Sequence, residues 1–142
     1  MNVTLKEIDS KNFDKIIALK ANKYVASNLY SLAQAKADPT LVPFAIYNDD
    51  IPVGFIMYGK DPEDNNEYWI VRLMIDTQYQ KNGFGRKALE IIIEKIKQDK
   101  SHNKIKISTE PENIIAMKLY NKLGFNETGE INHGEAVMVL EY

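Results

Sequence analysis

Gln80-Lys81-Asn82-Gly83-Phe84-Gly85-Arg86-Lys87 joins a segment built for a strand to a segment built for a helix, and this junction decides the fold. Upstream, Tyr68-Trp69-Ile70-Val71-Arg72-Leu73-Met74-Ile75 is an almost unbroken apolar run, as expected of a strand buried on both faces. Asp76-Thr77-Gln78-Tyr79 leads from that run into the junction. Downstream, Leu89, Ile92, Ile93 and Ile96 recur at the helical spacing i, i+3, i+4 and i+7, with Lys87, Glu90, Glu94 and Lys97 mainly on the opposite side. A helix opening on such a turn presents unpaired backbone amides and a partial positive charge, which suits phosphate. Glycines let the backbone approach an anion closely, and Lys81, Arg86 and Lys87 add charge. The same glycines also satisfy the sterics of a tight strand-to-helix turn with no ligand at all. The stretch is not a nucleotide P-loop, because no Gly-Lys-Ser/Thr follows. A dinucleotide fingerprint would need a third glycine and an acidic residue about twenty positions on.

Outward from this junction the chain reads as alternating elements. Val3 to Ile8 predicts a first strand, and Asp9 or Ser10 a cap for a helix over Phe13 to Lys20. A second helix is predicted over Leu29 to Ala37, ending before Pro39. Phe44 to Tyr47 and Val53 to Tyr58 flank the turn formers Asn48-Asp49-Asp50 and predict a hairpin. Gly59 to Asn66, polar and carrying Pro62, predicts a loop. Beyond the central helix come a strand at Ile105 to Thr109, a helix from Asn113 to Lys122 closed by Gly124, and strands over Asn126 to Ile131 and Ala136 to Glu141 around the turn Asn132-His133-Gly134. The order is β-α-α-β-β-β-α-β-α-β-β, a mixed α/β chain around one sheet. Residues 1–142 are expected to form a single domain.

Composition narrows the function classes. The 142 residues carry no cysteine, which excludes disulfides, thiolate metal sites and a cysteine nucleophile, and no metal site is expected. A net charge of −2 gives no general basic field, so nucleic acid is not an expected partner. No apolar run is long enough for a membrane span, and the first residues do not read as a secretion signal. A cytoplasmic protein is the expectation.

The second motif is Asn113-Ile114-Ile115-Ala116-Met117-Lys118-Leu119-Tyr120-Asn121-Lys122-Leu123-Gly124-Phe125. Ala116, Leu119 and Leu123 are spaced for a buried helix face, and Tyr120 lies one residue off that stripe. Together the two motifs resemble the GNAT superfamily of N-acetyltransferases. Its loop pattern, Gln/Arg-x-x-Gly-x-Gly/Ala, is matched by Gln80, Gly83 and Gly85. Its helix pattern is matched by Asn113, Ala116, Leu119, Tyr120, Gly124 and Phe125. The resemblance implies a mostly antiparallel sheet with a splayed central parallel pair, flanked by helices, and acetyl-coenzyme A as co-substrate. It implies that Lys81, Asn82, Gly83, Phe84, Gly85 and Arg86 cradle the pyrophosphate through main-chain amides. Leu73, Met74 and Ile75 would bulge, splay from the parallel neighbour, pair with the pantetheine arm and polarise the thioester carbonyl. Asn113 would hydrogen-bond the arm, and Tyr120 would protonate the departing thiolate as general acid.

With no cysteine, direct attack by the amine on the thioester is the simplest route, and a base must take the amine's proton. Glu67, or a water near Tyr68 and Trp69, is the candidate, although Glu67 also reads as a solvated strand end. His102 and His133, in a polar loop and a turn, are poorer candidates. The amino-terminal half more loosely resembles bacterial spermine/spermidine acetyltransferases, in Tyr24-Val25-Ala26-Ser27-Asn28, Leu32 to Lys36, Val53 to Gly59 and Gly134 to Val139. That subfamily often carries an acidic residue in the central strand where this chain has Val71. A polyamine acceptor is the leading expectation, steered by Asp49, Asp50, Asp61, Glu63, Asp64 and Glu67; an aminoglycoside, an amino acid or a peptide amino terminus are the alternatives, as is a silent acetyl-coenzyme A-binding module. A homodimer through the C-terminal strands would be in keeping with the superfamily.

Overall fold

The computed structural model describes residues 1–20 and 26–142. Tyr24 and Val25, part of the stretch likened to the polyamine enzymes, lie outside the described residues. Among the described residues, seven strands and four helices follow one another in the expected order: β1 (Val3–Lys6), α1 (Phe13–Ala18), α2 (Asn28–Ala37), β2 (Leu41–Asn48), β3 (Ile51–Asp61), β4 (Glu67–Ile75), α3 (Phe84–Lys97), β5 (Lys104–Thr109), α4 (Ile114–Lys122), β6 (Asn126–Asn132) and β7 (Glu135–Glu141). All seven strands join one sheet in the order β1-β2-β3-β4-β5-β7-β6. Every pairing is antiparallel except β4 with β5.

Local chemistry explains most boundaries. Asn132 pairs with Glu135, so the β6–β7 connection is the two-residue turn His133-Gly134, with φ of 51° and 81°. Positive φ at both central residues matches the twist of the flanking strands. The Ser27 side chain accepts from the Tyr30 amide at 3.1 Å and starts α2. Two expectations need correction. Helix α1 begins at Phe13 with Asn12 at its cap, because Asp9 is spent on an earlier turn where its carboxylate accepts from the Lys11 and Asn12 amides. It stops at Ala18, where Leu19 turns extended. The polar stretch predicted as a loop is partly strand, since β3 runs on to Asp61. There the Asp61 side chain accepts from the Glu63 amide and opens a single 3₁₀ turn over Pro62–Asp64.

Strand alternation sends neighbouring residues to two cores. Ile46, Ile56, Ile70, Ile105, Ile107 and Met138 pack with Leu89, Ile92 and Ile96 of α3 and with Tyr120 and Phe125. Ala45, Tyr47, Phe55, Met57 and Met74 turn the other way, onto Ile16 of α1, with Leu32 and Ala35 of α2 packed against them. Both faces of the sheet are therefore covered by helices, which is why the central strand reads as a nearly continuous apolar run.

The parallel pair is short. Only Tyr68, Trp69 and Ile70 of β4 register with Ile105, Lys106 and Ile107 of β5. Beyond Ile70 and Ile107 the two strands diverge. The expected bulge is present but displaced. Met57 pairs with Arg72 and Tyr58 with Ile70, leaving Val71 as the extra residue, whereas Leu73, Met74 and Ile75 keep regular register with Ile56, Phe55 and Gly54. Arg72 Nη1 donates to the Val71 carbonyl oxygen at 2.7 Å, satisfying a group that the bulge takes out of the ladder.

Candidate active site

The divergence of β4 from β5 opens a cleft of about 790 Å³. One wall is β4 from Ile70 to Ile75, whose edge toward β5 has no strand partner after Ile70. The other is formed by the end of β5 and by α4. The loop from Tyr79 into α3 closes one mouth. Gln80 Nε2 donates to the Ile75 carbonyl at 3.0 Å, and Asn82 Nδ2 donates to the Tyr79 and Gln80 carbonyls at 3.0 and 3.2 Å. Side chains thus hold the loop. Lys81 and Gly83 take φ of 68° and 84°. The first α3 amide with an acceptor is that of Lys87, bonded to the Gly83 carbonyl at 3.1 Å. The amides of Gly83, Phe84, Gly85 and Arg86 have no acceptor among the described residues, as a helix start with no side-chain cap requires.

The two glycines serve different ends. Gly83 supplies the left-handed turn. Gly85 does not: a Cβ there would meet Ile75 Cγ1 at 3.6 Å and Leu119 Cδ2 at 3.9 Å, which are ordinary contacts. Packing within the protein does not demand a glycine at 85. The missing side chain leaves room at the cleft edge between β4 and α4, beside the free amides.

Helix α4 contributes Asn113, whose Oδ1 accepts from the Ala116 amide at 3.3 Å and caps the helix. Tyr120 reverses the expectation for this helix. It is the residue of α4 that is buried, 6% exposed, while Ala116, Leu119 and Leu123 are only partly covered. Its ring packs at 6.1 Å from that of Phe125, yet the residue also lines the cleft. Burial, reinforced by the charge of Glu135, holds the Tyr120 phenol well above its ordinary value, so it stays protonated across the neutral range. No described residue hydrogen-bonds its hydroxyl.

A sequence model described as the acetyltransferase (GNAT) family matches residues 5–125. The chain belongs to this family. It is an amine N-acetyltransferase that uses acetyl-coenzyme A as co-substrate. Among its relatives, the spermine/spermidine N(1)-acetyltransferase of Bacillus subtilis (strain 168) is 32% identical over 151 residues, 99% of each chain. N-alpha-acetyltransferase 30 of Saccharomyces cerevisiae is 28% identical over 138 residues, 88% of this chain and 77% of that protein. An aminoglycoside acetyltransferase solved with coenzyme A shares the fold, with a TM-score of 0.81 at 18% identity over 99% of this chain and 95% of that one.

In this acetyltransferase the cleft gathers Leu73, Met74, Ile75, Lys81, Gly83, Phe84, Gly85, Arg86, Asn113 and Tyr120, all singled out from the sequence. Asn82 does not line it; its side chain is spent on holding the loop. Glu67, which the sequence offered as base beside a water near Tyr68 and Trp69, does not line it either. Glu67 pairs with Asp61 at the end of β4 where β4 and β5 are still bonded, and the splay opens at the other end. Tyr68 there donates its hydroxyl to Asp99 at 2.8 Å, and Trp69 its indole N–H to Asp64 at 2.9 Å. None of Asp49, Asp50, Asp61, Glu63 and Asp64 lines the cleft. His102 is turned to the Asn66 carbonyl, 2.9 Å away, and His133 sits in the β6–β7 turn.

One residue that supports the site and one that lines it had escaped sequence reading. Asp76 is 6% exposed and pins the segment before the loop. Glu135 is the carboxylate that lines the cleft, and Ser108 Oγ donates to its Oε1 at 2.7 Å. An acidic residue at the first position of a strand, beside a turn, carries no signal that separates it from a solvated one.

Proposed function

We propose that this acetyltransferase modifies a primary amino group of a polyamine, with Tyr120 as general acid. Residues 1–142 act as one unit. The main chain from Lys81 to Arg86 holds the pyrophosphate of acetyl-coenzyme A, and Asn82 shapes that cradle from behind. The free edge of β4 at Leu73, Met74 and Ile75 pairs with the pantetheine arm and supports the thioester oxygen as negative charge develops on it. Asn113, with its amide nitrogen uncommitted among the described residues, hydrogen-bonds the same arm. Tyr120 gives its proton to the departing sulfur.

The observation that carries this reading is the convergence on one cleft of unpaired α3 amides, an unpaired strand edge and a buried phenol with an uncommitted hydroxyl. The polyamine is supported by the near-full-length similarity to a spermine/spermidine acetyltransferase. A second reading, a peptide amino terminus, draws on the yeast relative and on Arg72. Arg72 lines the cleft, donates to Gln34 of α2 at 3.1 Å, and keeps a buried Nε with no partner. A guanidinium there repels a polycation and suits a peptide carbonyl. Thiol release from acetyl-coenzyme A, followed with spermidine, spermine, kanamycin and short peptides in parallel, tests the choice. Faster turnover of peptides than of either polyamine overturns the polyamine reading.

A further inference from the structure

The cleft has two sides, and they differ in chemistry. Ile107 and Met138 point into the core beneath α3 and α4. Ser108 registers with Val137, so strand alternation sends Ser108, Val137 and Glu135 to the opposite face, the one covered by α1 and α2. Met74 packs on that face, and Arg72 reaches α2 from it. The cleft therefore passes through the sheet at the splay. Free amides lie on one side, and Arg72, Ser108 and Glu135 on the other, with Tyr120 close enough to Glu135 to feel its charge. An amine approaching a thioester threaded through the splay arrives on the Glu135 side.

We propose that Glu135 is the general base of the reaction and that Ser108 positions it. This rests on the acetyl-transfer reading of the cleft and holds for any amine acceptor. The other charged or titratable groups lining the cleft are Arg72 from β4, Tyr79, Lys81 and Arg86 from the loop, and Lys118, Tyr120 and Lys122 from α4. The charged cations carry donors only, and the tyrosines are phenols. Glu135 is the one carboxylate among the described residues of the cleft. Its Oε1 accepts the hydrogen bond that the Ser108 hydroxyl donates, which leaves Oε2 with no partner among the described residues. The carboxylate is thereby fixed in orientation with one oxygen available for a substrate proton.

The protons balance as follows. Glu135 takes one proton from the incoming ammonium and releases it to solvent. The freed nitrogen lone pair forms a bond to the acetyl carbon, and the carbon–sulfur bond breaks. Tyr120 protonates the leaving sulfur. The second proton lost by the nitrogen as the amide forms restores the Tyr120 phenol through water. One amide, one thiol and one proton result.

The test measures kcat and KM of wild type, Glu135→Gln and Ser108→Ala from pH 6.5 to 10, using whichever amine of the panel wild type acetylates fastest. Acetyl-coenzyme A affinity is measured alongside to report on folding. Glu135→Gln is expected to lose about 10²–10⁴-fold in kcat near pH 7. The deficit should shrink as pH approaches the ordinary amine range, near 10, because the acceptor then arrives already neutral. Ser108→Ala should show a smaller loss, up to about a hundredfold, with the same shrinkage. A kcat for Glu135→Gln within threefold of wild type at pH 7 overturns the proposal. So does a deficit that is confined to KM or constant with pH, since that marks a charge that merely attracts the amine. If none of the amines makes wild type release thiol although acetyl-coenzyme A binds, the acceptor reading fails and this proposal fails with it; normal wild-type turnover with an unimpaired variant sinks this proposal alone.

Discussion

Asp76 Oδ2 accepts the backbone N–H of Lys20 at 2.9 Å, joining positions 56 residues apart at the end of the central strand. Its Oδ1 accepts the Gln78 amide at 3.0 Å, and its own amide donates to the Val53 carbonyl at 2.8 Å. One buried carboxylate thus ties the segment after α1 to the chain that enters the loop before α3. Asp76→Ala strands two amides at once and should cost about 2–4 kcal/mol of stability, measurable as a lowered urea midpoint. Asp76→Asn keeps one acceptor oxygen and should cost less.

Gly83 and Gly85 should respond differently to alanine. At Gly83 the left-handed φ of 84° makes alanine unfavourable by about 1–2 kcal/mol. At Gly85 the new Cβ meets only ordinary contacts, and the helix should gain up to about 1 kcal/mol. Acetyl-coenzyme A should nevertheless bind Gly85→Ala at least about tenfold more weakly, because the methyl occupies cleft space. Thermal melts and calorimetric titration of the two variants separate the fold's requirement from the ligand's.

Tyr120→Phe removes a hydroxyl that no described residue uses while keeping the ring on Phe125. Stability should change by less than about 1 kcal/mol. Turnover should fall by about 10²–10⁴-fold with acetyl-coenzyme A affinity unchanged. Steady-state kinetics beside a binding titration makes the comparison, and unchanged turnover would remove Tyr120 from the mechanism.

Four tyrosines, Tyr58, Tyr68, Tyr120 and Tyr142, have phenols raised by burial, and the fold should be sensitive to alkali. Burial is the main cause in each, with the Asp99 bond adding to the shift at Tyr68, the Glu135 charge at Tyr120, and the Asp99 and Glu67 charges at Tyr142. Each binds its proton more tightly when folded than when unfolded. The stabilisation is therefore fully present below the unfolded value, near pH 10, and is lost as pH rises from there toward the folded values. The urea midpoint should be flat from pH 7 to 9 and should fall above pH 10. Tyr68→Phe, which also removes the link to Asp99, should flatten part of that fall.

Local pattern, by itself, determined the order of strands and helices, the strand-to-helix junction at Gln80 to Lys87 and the Asn113 to Phe125 helix, because each is written within a few turns or one hairpin of sequence. Periodicity placed Leu89, Ile92, Ile93 and Ile96 in the core, and they are buried there. What sequence could not supply was register and reach. The bulge falls at Val71, and not over Leu73 to Ile75, because the pairing of β4 with the distant β3 sets it. Tyr120 is buried because the sheet it packs on is completed by β7. Glu67 lies at the wrong end of β4, since only the point of divergence from β5 says where the cleft opens. Glu135 reaches Ser108 across 27 residues through the β5–β7 pairing. Such contacts exist only once non-local strands are in register, and no window of neighbouring residues contains that information.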